Sequence, residues 1–140
     1  MVFNDRYNQS LKTEKDLKEQ FNNHIYIENN IIKDIDVIVT GHYGNIVSVD
    51  MLCENIRPFP LYNSTDNIGY IIRALIEIFD KEDDNSVSIN SLKNTPIRIV
   101  YDADNKFEGH SVAIGHFMKN RFILIDDLMK VHEWWNMTNN

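Results

Sequence analysis

The sequence predicts an α+β domain: a mostly antiparallel sheet of about five strands, a main helix over 67–80, a short N-terminal helix and a C-terminal helix. Three observations predict it. Ile68, Ile72, Leu75, Ile76 and Phe79 recur at helical spacing. Segments near 31–39, 97–101 and 112–125 alternate with period two and are rich in β-branched residues. Short turn signals separate consecutive strand segments, which favours antiparallel pairing.

Taken in order, residues 13–22 read as the short helix. Thr13 can cap it, Glu14 and Asp16 suit its positive end, Leu17 and Phe21 share a face, and Asn22-Asn23 ends it. Asn29-Asn30 is a turn signal, and from there Ile31, Ile35, Val37 and Val39 form one face of a strand. Gly41-His42-Tyr43-Gly44 connects it to a returning strand, Ile46 to Cys53. Residues 54–66 carry Pro58 and Pro60 without periodicity, and read as an irregular loop packed through Phe59, Leu61 and Tyr62.

The main helix follows, capped by Thr65 or Asp66, with Arg73 and Glu77 paired on its outside. Strands are expected at Ile97–Tyr101, Val112–Met118 and Arg121–Asp126, the last two joined by a Lys119-Asn120 turn. Both faces of that hairpin are apolar, so it should be covered on both sides or lie centrally. Leu128, Val131, His132 and Trp135 give the C-terminal helix its stripe. No repeat or linker divides the chain, so 1–140 reads as a single domain with 1–12 and 136–140 as loose ends.

The chain has 140 residues, 43% of them hydrophobic, enough to bury a core without staples. Cys53 is the lone cysteine, which excludes an intramolecular disulfide and fits a reducing compartment. The polar stretch Met1–Ser10 lacks the apolar centre of a secretion signal, so a cytoplasmic location is expected. Fourteen bases against 21 acids leave a formal charge of −7, with the bases dispersed. This argues against direct binding to nucleic acid or an anionic membrane, which relies on clustered Lys and Arg.

Part of the surplus charge is local, since 77–84 hold five acids and one base. A solvated loop is the ordinary reading of such a run. The sharper reading is a surface that docks on a basic, nucleic-acid-binding protein.

The five histidines, at 24, 42, 110, 116 and 132, form none of the usual zinc spacings, and no metal or cofactor is expected. Asp102, Asp104 and Glu108 imitate a calcium loop but lack its glycine and flanking helices. Cys53 could assemble with a histidine and an acid as a nucleophile, although no elbow motif surrounds it. Trp134 lies off the stripe that Trp135 joins, and exposed aromatics are enriched at interfaces.

Over residues 68–128, the pattern Ile68-Gly69, Ala74-Leu75-Ile76, Glu82-Asp83-Asp84, Pro96-Ile97-Arg98, Gly115-His116-Phe117-Met118-Lys119-Asn120-Arg121-Phe122 and Asp126-Asp127-Leu128 resembles small uncharacterised proteins of bacteriophages and prophages in low-GC Gram-positive bacteria. The resemblance covers a little under half of the chain, and the hairpin is its sharpest part. It implies no catalytic residues. Small acidic phage proteins often inhibit host machinery by binding, anti-CRISPR proteins among them.

The expectation is therefore a non-enzymatic inhibitor of a host defence or nucleic-acid-processing protein. It would act through Glu82, Asp83 and Asp84, with Trp134 and His42. One alternative is a small-molecule or nucleotide-binding protein using His110, His116 and Arg98. Another is a hydrolase using Cys53. The two-sided apolar hairpin is also compatible with a homodimer.

Overall fold

The structure is a computed structural model and describes residues 11–41, 44–54, 59–81 and 88–129. In chain order these form β1 (Leu11–Lys12), α1 (Glu14–Gln20), β2 (Tyr26–Thr40), β3 (Ile46–Cys53), β4 (Phe59–Ser64), α2 (Ile68–Ile78), β5 (Thr95–Tyr101), β6 (Ser111–His116), β7 (Phe122–Leu124) and α3 (Ile125–Leu128). All strands join one antiparallel sheet in the order β1-β7-β6-β5-β2-β3-β4.

This overturns the expected sheet of about five strands beside a main helix over 67–80. The sheet has seven strands and dominates the fold, and the helices are small: 7, 11 and 4 residues. The segment read as an irregular loop contains β4. Proline disqualifies a central strand but is tolerated at an edge, and β4 is an edge. β1 is only two residues long, too short to show a period. The main helix is α2 alone, preceded by a 3-10 turn at Thr65–Asn67. Most of the expected C-terminal helix lies outside the described residues.

The N-terminal helix forms as its cap predicts. Thr13 accepts from the Asp16 backbone, and the Asp16 side chain accepts from the Thr13 backbone. Asn22 and Asn23 follow at positive φ, which asparagine tolerates better than most residues.

Two apolar layers hold the sheet. On one face, α2 packs Ile71, Leu75, Ile76 and Ile78 against Ile32, Ile35, Met51, Leu61, Ile97, Ile99, Ile114 and Ile123. On the other, Leu17 of α1 packs on Val100, Ala113 and Phe122. Each large side chain so buried contributes about 1.5–3 kcal/mol before entropy is subtracted.

The β6–β7 hairpin is covered on both faces, as its composition requires, but a two-residue Lys119-Asn120 turn would pair Met118 with Arg121, and the observed register is shifted from that by two residues. Ala113 pairs with Leu124 and Gly115 with Phe122. Because side chains alternate with period two, a two-residue shift keeps Ile114 and Ile123 on one face and Ala113, Phe122 and Leu124 on the other, whereas a bulge opposite Val100 and Tyr101 turns Val112 to the second face.

β2 is one 15-residue strand, and Asn29-Asn30 lies inside it rather than at a turn. The Asn30 amide takes the place of a ladder partner: its Nδ2 donates to Glu54 O at 3.0 Å, and its Oδ1 accepts from Glu54 N at 3.0 Å. A register shift between Ile32 and Asp34 inserts Lys33 as an extra residue. It puts Ile32 on the α2 face with Ile35 and moves Ile31 to the opposite face. Tyr26–Ile32 pairs with β5 on one side, whereas Ile32–Thr40 pairs with β3 on the other.

Candidate functional site

Glu82, Asp83, Asp84, Trp134 and His42 lie outside the described residues. Of the 77–84 acid run, Glu77 and Asp80 are described, and the fold engages both. Glu77 is paired with Arg73 Nη1 at 3.4 Å, as expected, but sits at 2% exposure rather than on the outside. Asp80 is drawn into an ionic clasp.

Asp80 occupies the left-handed position after α2, with φ 54°. Lys81 N bonds Ile76 O at 2.8 Å and Asp80 N bonds Glu77 O at 3.2 Å, the paired bonds of a Schellman C-cap where glycine is usual. Side-chain contacts hold it there. Arg121 Nη2 donates to Asp80 Oδ1 at 2.7 Å and to Ile78 O at 2.9 Å, Lys119 Nζ donates to Oδ2, and His116 Nε2 lies 3.2 Å from Oδ2. Burial opposes ionisation of Asp80, but the Lys119 and Arg121 bonds and charges outweigh it and hold the carboxyl below its usual range.

His116 has both ring nitrogens engaged. Nδ1 accepts the backbone N–H groups of Met118 and Lys119 at 3.0 and 3.1 Å, so the proton belongs on Nε2, which faces Asp80. Burial lowers its pKa, reinforced by Arg121, Lys119 and Arg98 against the pull of Asp80. The clasp therefore ties the end of α2 to the β6–β7 turn, and leaves the ring no free lone pair for base catalysis.

Arg98 lies opposite Gly115 in the ladder and His116 opposite Ile97, so their side chains leave on opposite faces. Arg98 Nε donates to His116 O at 2.8 Å, and Nη2 donates to Lys119 O. His110 precedes β6, ~20 Å along the strand from His116. Its backbone N–H donates to Asp102 Oδ1 at 2.6 Å. The structure thus joins Arg98 to the His116 backbone and leaves His110 at the far end. Cys53 is buried in the α2-side core, and burial with the nearby Glu28 charge pushes its thiol up to about 12.

Asp102 and Asn105 serve the turn between β5 and β6, Asn105 Oδ1 accepting from Phe107 N and Glu108 N. No group of three or more His, Cys, Asp or Glu among the described residues is arranged to hold a metal ion. A shallow open pocket of about 180 Å³ is lined by Glu28, Asn29, Asn30, Glu54 and Lys106. It falls below the ~300 Å³ at which ligand pockets usually begin. Its polar groups bond one another, Lys106 to Glu28 at 2.9 Å and Asn30 to Glu28 at 2.8 Å.

The feature that sequence reasoning missed is the sheet face opposite α2 at the β2–β3–β4 end. Ladder parity puts Asp34, Asp36 and Ile38 of β2, Ser48, Asp50 and Leu52 of β3, and Tyr62 of β4 on it. α1 covers only the β5–β7 end of that face. Ile38 is 46%, Leu52 42% and Tyr62 43% exposed.

Asp36 and Asp50 are direct cross-strand partners. Like charges so placed are destabilising. Asp34 has Lys93 at 3.4 Å and Glu54 has Lys33 at 3.0 Å. Among the described residues neither Asp36 nor Asp50 has a cationic partner. Ser48 donates its hydroxyl to Asp50. The alternation Asp34-Ile35-Asp36-Val37 was the available signal. It gave the strand's inward and outward sides but not that Asp50 would lie opposite Asp36.

Compared with family models, with curated proteins and with solved structures, the chain matches none. No helix of the described residues is long and apolar enough to cross a membrane.

Proposed function

We propose that this is a non-enzymatic binding protein that occupies a basic surface of another protein, as an inhibitor of a nucleic-acid-handling or defence factor of a bacterial host. One observation carries the reading: Asp36 and Asp50 sit side by side on an open sheet face with Ile38, Leu52 and Tyr62 exposed around them. A carboxylate pair that weakens its own sheet, ringed by apolar and aromatic groups, has the makeup of a contact surface with charge complementarity to Lys- and Arg-rich partners. The formal charge of −7 adds long-range attraction toward such a partner. The likeness to phage and prophage proteins supplies the biological setting.

The test is capture from a low-GC Gram-positive lysate with wild type and with an Asp36→Asn/Asp50→Asn/Tyr62→Ala variant. A partner retained by wild type, lost by the variant and displaced by added oligonucleotide supports the reading. Capture that survives the triple substitution, or that oligonucleotide leaves untouched, sinks it.

A further inference from the structure

β2 carries a free strand edge. Its first half is paired on the β5 side through Ile32, and the next stretch is closed by the turn before β5, where Asn94 N donates to Ile32 O at 2.7 Å and Lys93 reaches Asp34. Beyond that point β2 pairs with β3 alone, and Asp36, Val37, Ile38, Val39 and Thr40 are all exposed. Among the described residues no strand lies against the β5 side of this segment. Five residues match the usual length of a strand.

An exposed edge is a template for another strand, and proteins ordinarily blunt long apolar ones with proline, lysine or a bulge. The other long edge, β4, carries Pro60. The edge from Asp36 to Thr40 has neither proline nor lysine, its one charge is Asp36, and its bulge lies earlier, at Lys33. Val37 and Val39 are 39% and 60% exposed on the α2 side, and Ile38 stands beside the Asp36–Asp50 pair on the other.

We infer that this edge receives an extended basic segment of the partner protein by strand addition. The inference rests on the proposed acidic docking surface and specifies its mode. Side chains of an added strand alternate as those of β2 do. Those on one face meet Asp36 and, one strand further, Asp50, so Lys or Arg belongs there. Those on the other meet Val37 and Val39, so apolar β-branched residues belong there. The recognised segment alternates basic with apolar residues. Main-chain bonds supply affinity, and the carboxylate pair selects charge.

The test uses the full chain and a synthetic peptide alternating arginine with valine. It also uses two isomers of that peptide, N-methylated on alternate amides along one edge or along the other. A strand pairs through one edge only, so one isomer should bind like the parent and the other at least about tenfold more weakly. The amide resonances of Asp36 to Thr40 should shift with the parent peptide. Asp36→Asn/Asp50→Asn should weaken it and flatten its salt dependence.

Equal binding of both isomers, lost in the Asn variant, overturns strand addition while the acidic surface stands. Isomer-selective binding that the Asn variant leaves unchanged overturns the charge selection, and with it the acidic reading. No binding of the parent peptide overturns the inference, and the lysate capture then decides the broader reading alone.

Discussion

Arg98 stacks its guanidinium 4.6 Å from the ring centroid of Phe122. The two meet across Gly115, which lies between them in the β5–β6–β7 ladder. A Cβ at Gly115 would overlap Cδ1 of that ring and lie 2.6 Å from Cε1 and 2.8 Å from Arg121 O. The glycine is there for close approach, since Phe122 fills the space above it and the same ring roofs the core around Leu17. Gly115→Ala is expected to cost roughly 1–3 kcal/mol by forcing the ring off its rotamer. A urea midpoint within error of wild type would contradict this packing.

Asp36→Asn should stabilise the fold and weaken partner binding together. It removes a like-charge cross-strand repulsion worth a few tenths of a kcal/mol in an exposed ladder, and it halves the carboxylate pair offered to a basic partner. Thermal denaturation and binding to the arginine–valine peptide read the two effects. A loss of stability would show that Asp36 serves the fold instead.

Stability should fall as pH falls, in two steps. His116 titrates lower folded than unfolded, because burial and three cations disfavour the imidazolium. Asp80 is likewise held low by Lys119 and Arg121, which outweigh its burial. In both cases the unfolded chain binds more protons, so ΔG of unfolding rises with pH. The histidine contribution is whole above about pH 6.5 and fades as pH drops through the folded value. The aspartate contribution fades below about pH 3.9. His116→Asn keeps an acceptor for the Met118 and Lys119 N–H groups and removes the upper step. The fall in urea midpoint between about pH 6.5 and 4.5 should then be smaller than in wild type, and an unchanged slope would assign the step to another group.

Cys53 should resist alkylation in the folded protein. Its thiol is buried and its pKa is pushed up to about 12, so the thiolate is scarce at neutral pH. Labelling by iodoacetamide should track unfolding by urea, and Cys53→Ser should leave peptide binding unchanged. Rapid labelling in buffer alone would reopen a nucleophilic role.

The local parts of the fold were legible in sequence because their causes are local. The Thr13 cap, the apolar stripe of α2, the β2–β3 hairpin with its two glycines and the face parity of β6–β7 each follow from residues within one element or turn. The two missed strands were not legible for the same reason. β1 is made a strand by β7, and β4 tolerates Pro60 only because nothing described pairs with its outer edge.

Signals local to the chain were enough for the net acidity, the mostly antiparallel pairing, the capped N-terminal helix, the apolar stripe of α2 and most chain reversals, but not for a sheet-dominated fold of seven strands. The tertiary structure alone decided which charges remain available. It buried Glu77, clasped Asp80 between His116, Lys119 and Arg121, and set Asp36 against Asp50 on an uncovered face. Periodicity is a property of neighbours along the chain. A charge's surroundings are set by residues many positions away, brought together only when strands choose partners and register.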